Sequence, residues 1–181
     1  DSKYVDRAPE VNIRAAELAR KAASKRDGVL VGGSLGPTGA LMAPFGPLSP
    51  ESARAAYAEQ AKALTEGGVD LLLIETMFAL EEASAAFEGA RSASDLPIVV
   101  SFSYDRGVRT MMGVKTTQVM QTYTDMGAVA IGANCGTTLE NMEKVVAEYG
   151  AAKAGFPLWV KPNAGLPNEF GGFDLTPAQM A

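Results

Sequence analysis

One cysteine, one glutamate and two asparagines carry most of the chemistry open to this chain. Cys135 lies in 132-GANCG-136, straight after the apolar run 128-AVAI-131. Glu75 closes 69-VDLLLIE-75, and Asn163 closes 157-PLWVKPN-163. There is no histidine, so the commonest general base is missing. Thiolate, carboxylate and amide are left as metal ligands. A carboxylate after 71-LLLI-74 is costly unless it is used or paired, either by a ligand or by neighbouring backbone N–H groups. A free cysteine is more often a small buried hydrophobe than a ligand or nucleophile. Without histidine the thiol lacks the usual activating base. One thiolate with carboxylates is a poor zinc site. On these residues alone the purpose of the thiol stays open.

The elements that must position them are legible. Five apolar runs read as buried strands: 29-VLVGGS-34, 69-VDLLLIE-75, 97-PIVVSFS-103, 128-AVAIGAN-134 and 157-PLWVKPN-163. Near-continuous apolar runs mean that both faces are covered, as in a parallel sheet. Helical patterns lie between them. Ser49-Pro50 starts 51-ESARAAYAEQAKALTE-66, and Gly67-Gly68 stops it. The run 80-LEEASAAFEGA-90 is amphipathic. In 137-TTLENMEKVVAEYG-150, Thr137 and Glu140 have capping-box spacing, and Leu139, Met142, Val146 and Tyr149 form the stripe. The segment 116-TTQVMQTYTDMG-127 is a shorter version. Met120, Met126 and Met142 read as core. Strand–helix alternation recurs roughly every 30 residues, the length of a βαβ unit. The chain is read as one α/β domain, a barrel or an open doubly wound sheet.

In either architecture function gathers at the carboxyl ends of the strands. Those ends are Gly33-Ser34, Glu75-Thr76, Ser101 to Tyr104, Asn134-Cys135-Gly136 and Asn163-Ala164-Gly165. The loop 32-GGSLGPTG-39 follows a strand but lacks both phosphate-binding glycine patterns, and reads as a tight loop at a barrel rim. The ends of the chain look interrupted. A helical pattern, 9-PEVNIRAAELARKAASKR-26, has no strand before it, and 176-TPAQMA-181 opens a helix. An eight-stranded barrel takes about 250 residues, so five strands suggest a central part of one.

Composition narrows the classes. The 181 residues carry a net charge of −5 and no basic stripe, against nucleic-acid binding. No apolar run is long enough for a membrane span. No secretory leader is visible. A single cysteine makes no internal disulfide, which fits a reducing cytoplasm.

Taken together and in order, 32-GGSLGPTG-39, 69-VDLLLIET-76, 97-PIVVSFS-103, 132-GANCG-136 and 161-KPNAGLPN-168 resemble the homocysteine-binding barrel of homocysteine S-methyltransferases. The tail 162-PNAGLPNEFGGFDLTP-177 is most similar to the homocysteine domain of cobalamin-dependent methionine synthase. The resemblance implies a partial (β/α)8 barrel over residues 1–181, with first strands and last strand missing. It implies transfer of a methyl group to the sulfur of homocysteine, giving methionine. Three cysteines hold zinc in that family. Cys135 matches the one in G-x-N-C, and the adjacent pair expected in Gly-Gly-Cys-Cys-Gly is absent from this chain. The resemblance further implies that Glu75 meets the substrate ammonium, that Asn163 stands beside the metal, and that Gly33 and Ser34 form pocket wall. Zinc would hold the substrate sulfur as a thiolate. The donor is methylcobalamin on another domain, S-methylmethionine, a betaine or a methylated corrinoid protein.

Two other readings compete. A pterin-binding or aldolase-like barrel would use Lys161 or Asn163 on its substrate and treat Cys135 as filler. A non-catalytic barrel would serve as a docking module. The 181 residues alone are expected to bind no zinc tightly and to transfer no methyl group. Tight one-to-one binding in a zinc titration of this chain would contradict that.

Overall fold

The computed structural model describes residues 4–165 and 167–180. All five apolar runs form strands: β1 (Gly32–Leu35), β2 (Leu71–Met77), β3 (Ile98–Phe102), β4 (Ala130–Cys135) and β5 (Leu158–Pro162). The helices are α1 (Ala8–Ala23), α2 (Pro50–Glu66), α3 (Leu80–Ala93), α4 (Thr116–Asp125), α5 (Leu139–Ala152) and the short α6 (Pro177–Met180). The sheet order is the chain order, β1-β2-β3-β4-β5. Strand β1 runs parallel to β2, and β4 to β5. An order that never reverses belongs to consecutive βα units of a barrel wall, whereas a doubly wound sheet reverses at its switch point. Among the described residues no helix is long and apolar enough to cross a membrane.

The chain forms two compact units, Asp1–Ile74 with Glu81–Val99, and Glu75–Leu80 with Val100–Ala181. In the first, the Ser49 hydroxyl caps α2 by accepting from the Ser52 N–H at 3.1 Å, with Pro50 in the first turn as the sequence suggests. Helix α2 buries Ala53, Tyr57, Ala61, Ala63 and Leu64. Strand β1 starts three residues later than its apolar run. The Val31 N–H donates to the Asp70 carboxylate at 2.6 Å, and Arg20 pairs with the same carboxylate at 2.6 Å. A side chain therefore holds the segment where a ladder bond was expected. Val29 and Leu30 are left exposed.

The loop after β1 is tied down by a buried carboxylate. Glu82 is 7% exposed. It accepts from the Thr38 N–H at 2.7 Å, the Thr38 hydroxyl at 2.7 Å and the Tyr57 hydroxyl at 3.1 Å. Burial, then the nearby Glu82 charge, pushes the Tyr57 hydroxyl well above the ordinary tyrosine range. The Thr38 N–H is thus committed to an internal anion, in keeping with a structural loop rather than a phosphate cradle.

In the second unit the α5 start differs from the expected capping box. The cap is Thr138, whose hydroxyl accepts from the Asn141 N–H at 3.2 Å. Thr137 accepts instead from the Asn141 side-chain amide at 2.8 Å. The buried stripe is Met142, Val145 and Tyr149, so Val145 takes the place expected of Val146. Met120 and Met142 are core, Met126 is half-buried, and Met111 and Met112 are exposed.

The Asp70 latch gives a pH test. Its carboxyl is held below the usual range, first by the Val31 N–H and then by Arg20. A lowered folded-state value means stability is present above the unfolded value, about pH 4, and is lost as pH falls through the folded value. Acid unfolding between about pH 5 and pH 3 should be less steep in Asp70→Asn than in the parent protein. Equal slopes in the two would contradict the latch.

Candidate functional site

The second unit brings together the carboxyl ends of four strands, and the motif 132-GANCG-136 can be read residue by residue. Gly132 is needed for clearance: a Cβ there would fall 1.7 Å from the Trp159 carbonyl oxygen on neighbouring β5. Its own carbonyl accepts from the Tyr149 hydroxyl at 3.2 Å, and Tyr149 in turn meets the Tyr104 hydroxyl. Burial pushes both tyrosine hydroxyls well above their ordinary range, so they serve as neutral hydrogen-bonding groups. Ala133 is fully buried. Then come the amide, the thiol and Gly136, the last with φ +79°.

Asn134 is the centre of the arrangement. It is 1% exposed. Its Oδ1 accepts from the Thr76 N–H at 2.9 Å and the Ser101 hydroxyl at 2.7 Å. Its Nδ2 donates to Thr76 Oγ1 at 2.8 Å and to Cys135 Sγ at 3.2 Å. The Thr76 backbone N–H can only donate, which fixes the orientation of the amide. Both acceptor positions and both donors are therefore used. One side chain ties the ends of β2 and β3 to its own strand β4.

The two residues it grips are backbone outliers. Thr76 has φ 64° and Cys135 has φ 58°. Left-handed backbone at a residue with a Cβ costs roughly 1–2 kcal/mol, and at a β-branched residue it is rarer still. These are the only non-glycine positive-φ positions among the described residues, and both hydrogen-bond to Asn134. Both lie at the carboxyl ends of their strands, Thr76 next to last in β2 and Cys135 last in β4. Glu75 precedes one turn, and the Cys135 thiol sits on the other.

Asn163 braces the thiol turn from the end of β5. Its N–H donates to the Cys135 carbonyl at 3.4 Å, and its Nδ2 donates to the Gly136 carbonyl at 3.3 Å. Lys161, on β5, reaches Glu75: Nζ lies 2.6 Å from Oε2. The Glu75 side chain is 14% exposed and that of Lys161 54%. The Cys135 thiol is free and half-buried.

Glu75, Cys135 and Asn163 thus lie in one unit, joined through Asn134 and short backbone bonds. Gly33 and Ser34 belong to the first unit. The missing side chain of Gly33 faces Leu64 and Val69, with contacts at 3.2 Å, so this glycine permits close packing of β1. Ser34 lies on the opposite face, and its carbonyl accepts from Gln60 at 3.4 Å. Sequence reasoning misses the linking roles of Asn134 and Thr76, and gives Lys161 a role only in a competing kind of barrel. The signal that could find Asn134 is a polar amide at the end of an otherwise apolar strand.

A metal needs more than this chain's thiol. Among the described residues no group of three His, Cys, Asp or Glu side chains could hold an ion. Cys135 fits as one ligand, since its sulfur is outside any disulfide, half-buried and aimed by an N–H donor. It is not a site by itself.

The sequence model of one protein family, described as homocysteine S-methyltransferase, matches residues 1–181. The fold is similar to crystal structures of the homocysteine methyltransferase MmuM from Escherichia coli. The apo form is 27% identical with a TM-score of 0.76, over 88% of this chain and 62% of that one. The metallated form is 26% identical with a TM-score of 0.75, over 87% and 59%. The oxidized form is 26% identical with a TM-score of 0.73, over 87% and 58%. This chain therefore spans about three fifths of the solved chains it matches.

Replacing Asn134 by alanine leaves the Thr76 N–H and the Ser101 hydroxyl without their acceptor. The Asn134→Ala protein should lose about 1–3 kcal/mol of stability in denaturant unfolding, and Ser101→Ala clearly less. Equal costs for the two would contradict a central role for the amide.

Proposed function

The chain belongs to the homocysteine S-methyltransferase family, and from that premise we propose that it is the central part of a homocysteine-binding barrel whose strand ends seat homocysteine for S-methylation to methionine. In this reading Cys135 is one thiolate ligand of a zinc ion, and two further cysteines come from outside these 181 residues. Glu75 receives the substrate ammonium. Asn163 stands beside the metal. The observation that carries the reading is the Asn134 amide, which bonds both to Thr76, next to Glu75, and to the Cys135 sulfur. A carboxylate for an ammonium and a thiolate for a metal are thereby held on one frame, as an aminothiol substrate requires.

Zinc would supply a Lewis acid that keeps the substrate sulfur deprotonated at neutral pH. The other roles fall to the chain's own residues. Asn134 aims the Cys135 sulfur through its N–H. Asn163 fixes the Cys135 and Gly136 carbonyls, so the turn keeps its geometry as ligands come and go. Glu75 offers a largely buried carboxylate, where a charge-assisted hydrogen bond to an ammonium is stronger than at the open surface. A thiol kept out of any disulfide suits a reducing cytoplasm. The methyl donor, whether methylcobalamin, S-methylmethionine, a betaine or a methylated corrinoid protein, is not chosen by any residue of this site.

Two substitutions in the full-length protein test the reading separately. Cys135→Ser should lose most of its bound zinc by elemental analysis, with homocysteine binding lost alongside. Glu75→Gln should keep its zinc and bind homocysteine about tenfold to a hundredfold more weakly by calorimetry. Full zinc occupancy in Cys135→Ser would sink the metal role of the thiol and favour a barrel that binds without this chemistry.

A further inference from the structure

The loop between β3 and α4 holds three cations in one row. Arg106 and Arg109 exchange backbone N–H to carbonyl bonds, at 3.0 and 3.2 Å, across Gly107-Val108. Gly107 has φ 64°, which suits the first position of a two-residue hairpin turn. On its other side Arg109 pairs antiparallel with Lys115, and the Thr110 N–H donates to the Val114 carbonyl at 3.2 Å. Cross-strand partners share a face. Arg106, Arg109 and Lys115 therefore stand side by side, with about 5 Å between neighbouring backbones. All three are exposed. Among the described residues none of them is in an ion pair. The loop's one acid, Asp105, has its Oδ1 buried and without a hydrogen-bond partner. The loop is pinned in place: the Thr110 hydroxyl donates to the Phe78 carbonyl at 2.7 Å and accepts from the Val114 N–H at 3.2 Å. Strand β3 is the middle one of the five, so the row does not lie on a sheet edge.

Like charges directly opposite one another destabilise a strand pair. The chain as a whole is acidic, with a net charge of −5, yet no acid offsets this row. Beside it, Met111 and Met112 are 47% and 54% exposed, on a turn closed by the Gly113 N–H donating to the Thr110 carbonyl at 2.8 Å. Exposed methionines make adaptable apolar contacts. A free phosphate would use the charges and leave the methionines in water. A spacing of about 5 Å is also that of successive side chains along one face of a helix, at i, i+3 or i+4 and i+7. We propose that this loop is a docking surface for an acidic amphipathic helix of a partner protein. Carboxylates on the helix meet Arg106, Arg109 and Lys115, and apolar side chains beside them cover Met111 and Met112. The arginines add paired N–H donors to the charge. The inference goes beyond the proposed function and does not depend on what the strand ends bind.

Two measurements on the full-length protein test it. The first asks whether the row is unpaired there. Arg109→Gln should raise the Tm by roughly 1–3 °C at low salt, and change it little at about 1 M salt, where the repulsion is screened. A lower Tm would mean that the protein supplies its own carboxylate, and would overturn the proposal. The second follows a designed, stapled helix by fluorescence anisotropy. Its face carries glutamates at i, i+4 and i+7 with leucines beside them. It should bind the parent at least about tenfold more tightly than Arg109→Glu, and Met111→Ser should weaken it about threefold to tenfold. Lys25→Glu, the same charge change at an exposed lysine of the first unit, should bind like the parent. No binding to the parent, equal losses in Arg109→Glu and Lys25→Glu, or equal binding of a glutamine version of the helix would each overturn the proposal. So would displacement of the helix by an equal concentration of inorganic phosphate, which would mark a small-anion site. A halved mass for Arg109→Glu in light scattering would overturn it too, with a second copy of the chain as the occupant.

Discussion

The site depends on one buried primary amide. Asn134 uses both lone-pair directions of its oxygen and both N–H groups of its nitrogen. Its partners are a backbone N–H, two hydroxyls and a sulfur. Aspartate at this position would place a charge where only 1% of the residue is exposed, and would lose both donors. Alanine would leave a hole and orphaned groups. Few side chains can serve three strand ends at once. The two left-handed turns at Thr76 and Cys135 are local strain that this network offsets, and strain of that kind collects at functional positions.

Two glutamates, Glu75 and Glu82, show how context decides what an acid is for. Glu82 faces three donors from its own unit and is 7% exposed. Its bonds hold the loop after β1 to helices α2 and α3. Glu75 faces a half-exposed ammonium on a long stem from β5. The Glu82 carboxylate is built into the fold. The Glu75 carboxylate is paired across the strand ends with Lys161. Both adjoin apolar sequence, seven residues apart.

Strand positions were legible because parallel strands covered on both faces need continuous apolar runs, and these were present. The helix starts were legible where a hydroxyl and a proline coincide, as at Ser49-Pro50. They slipped by one residue where two threonines adjoin, because Thr137 and Thr138 can each cap and only tertiary packing decides. The late start of β1 was hidden because Asp70 takes the Val31 N–H from a distant part of the chain. At the site, the residues with obvious chemistry were visible: Cys135, Glu75 and Asn163 stand at strand ends. The links between them were not. Asn134 and Lys161 act through partners 58 and 86 residues away, and no local pattern encodes such distances.

The most direct test is a crystal structure of the Asn134→Ala protein, read at residues 76 and 135. The account predicts that without the amide at least one of the two turns leaves the left-handed region, and that Glu75 and the Cys135 sulfur shift with it. If both residues keep positive φ and both side chains stay in place, the amide is not what holds the site, and the strain at those turns must be balanced elsewhere.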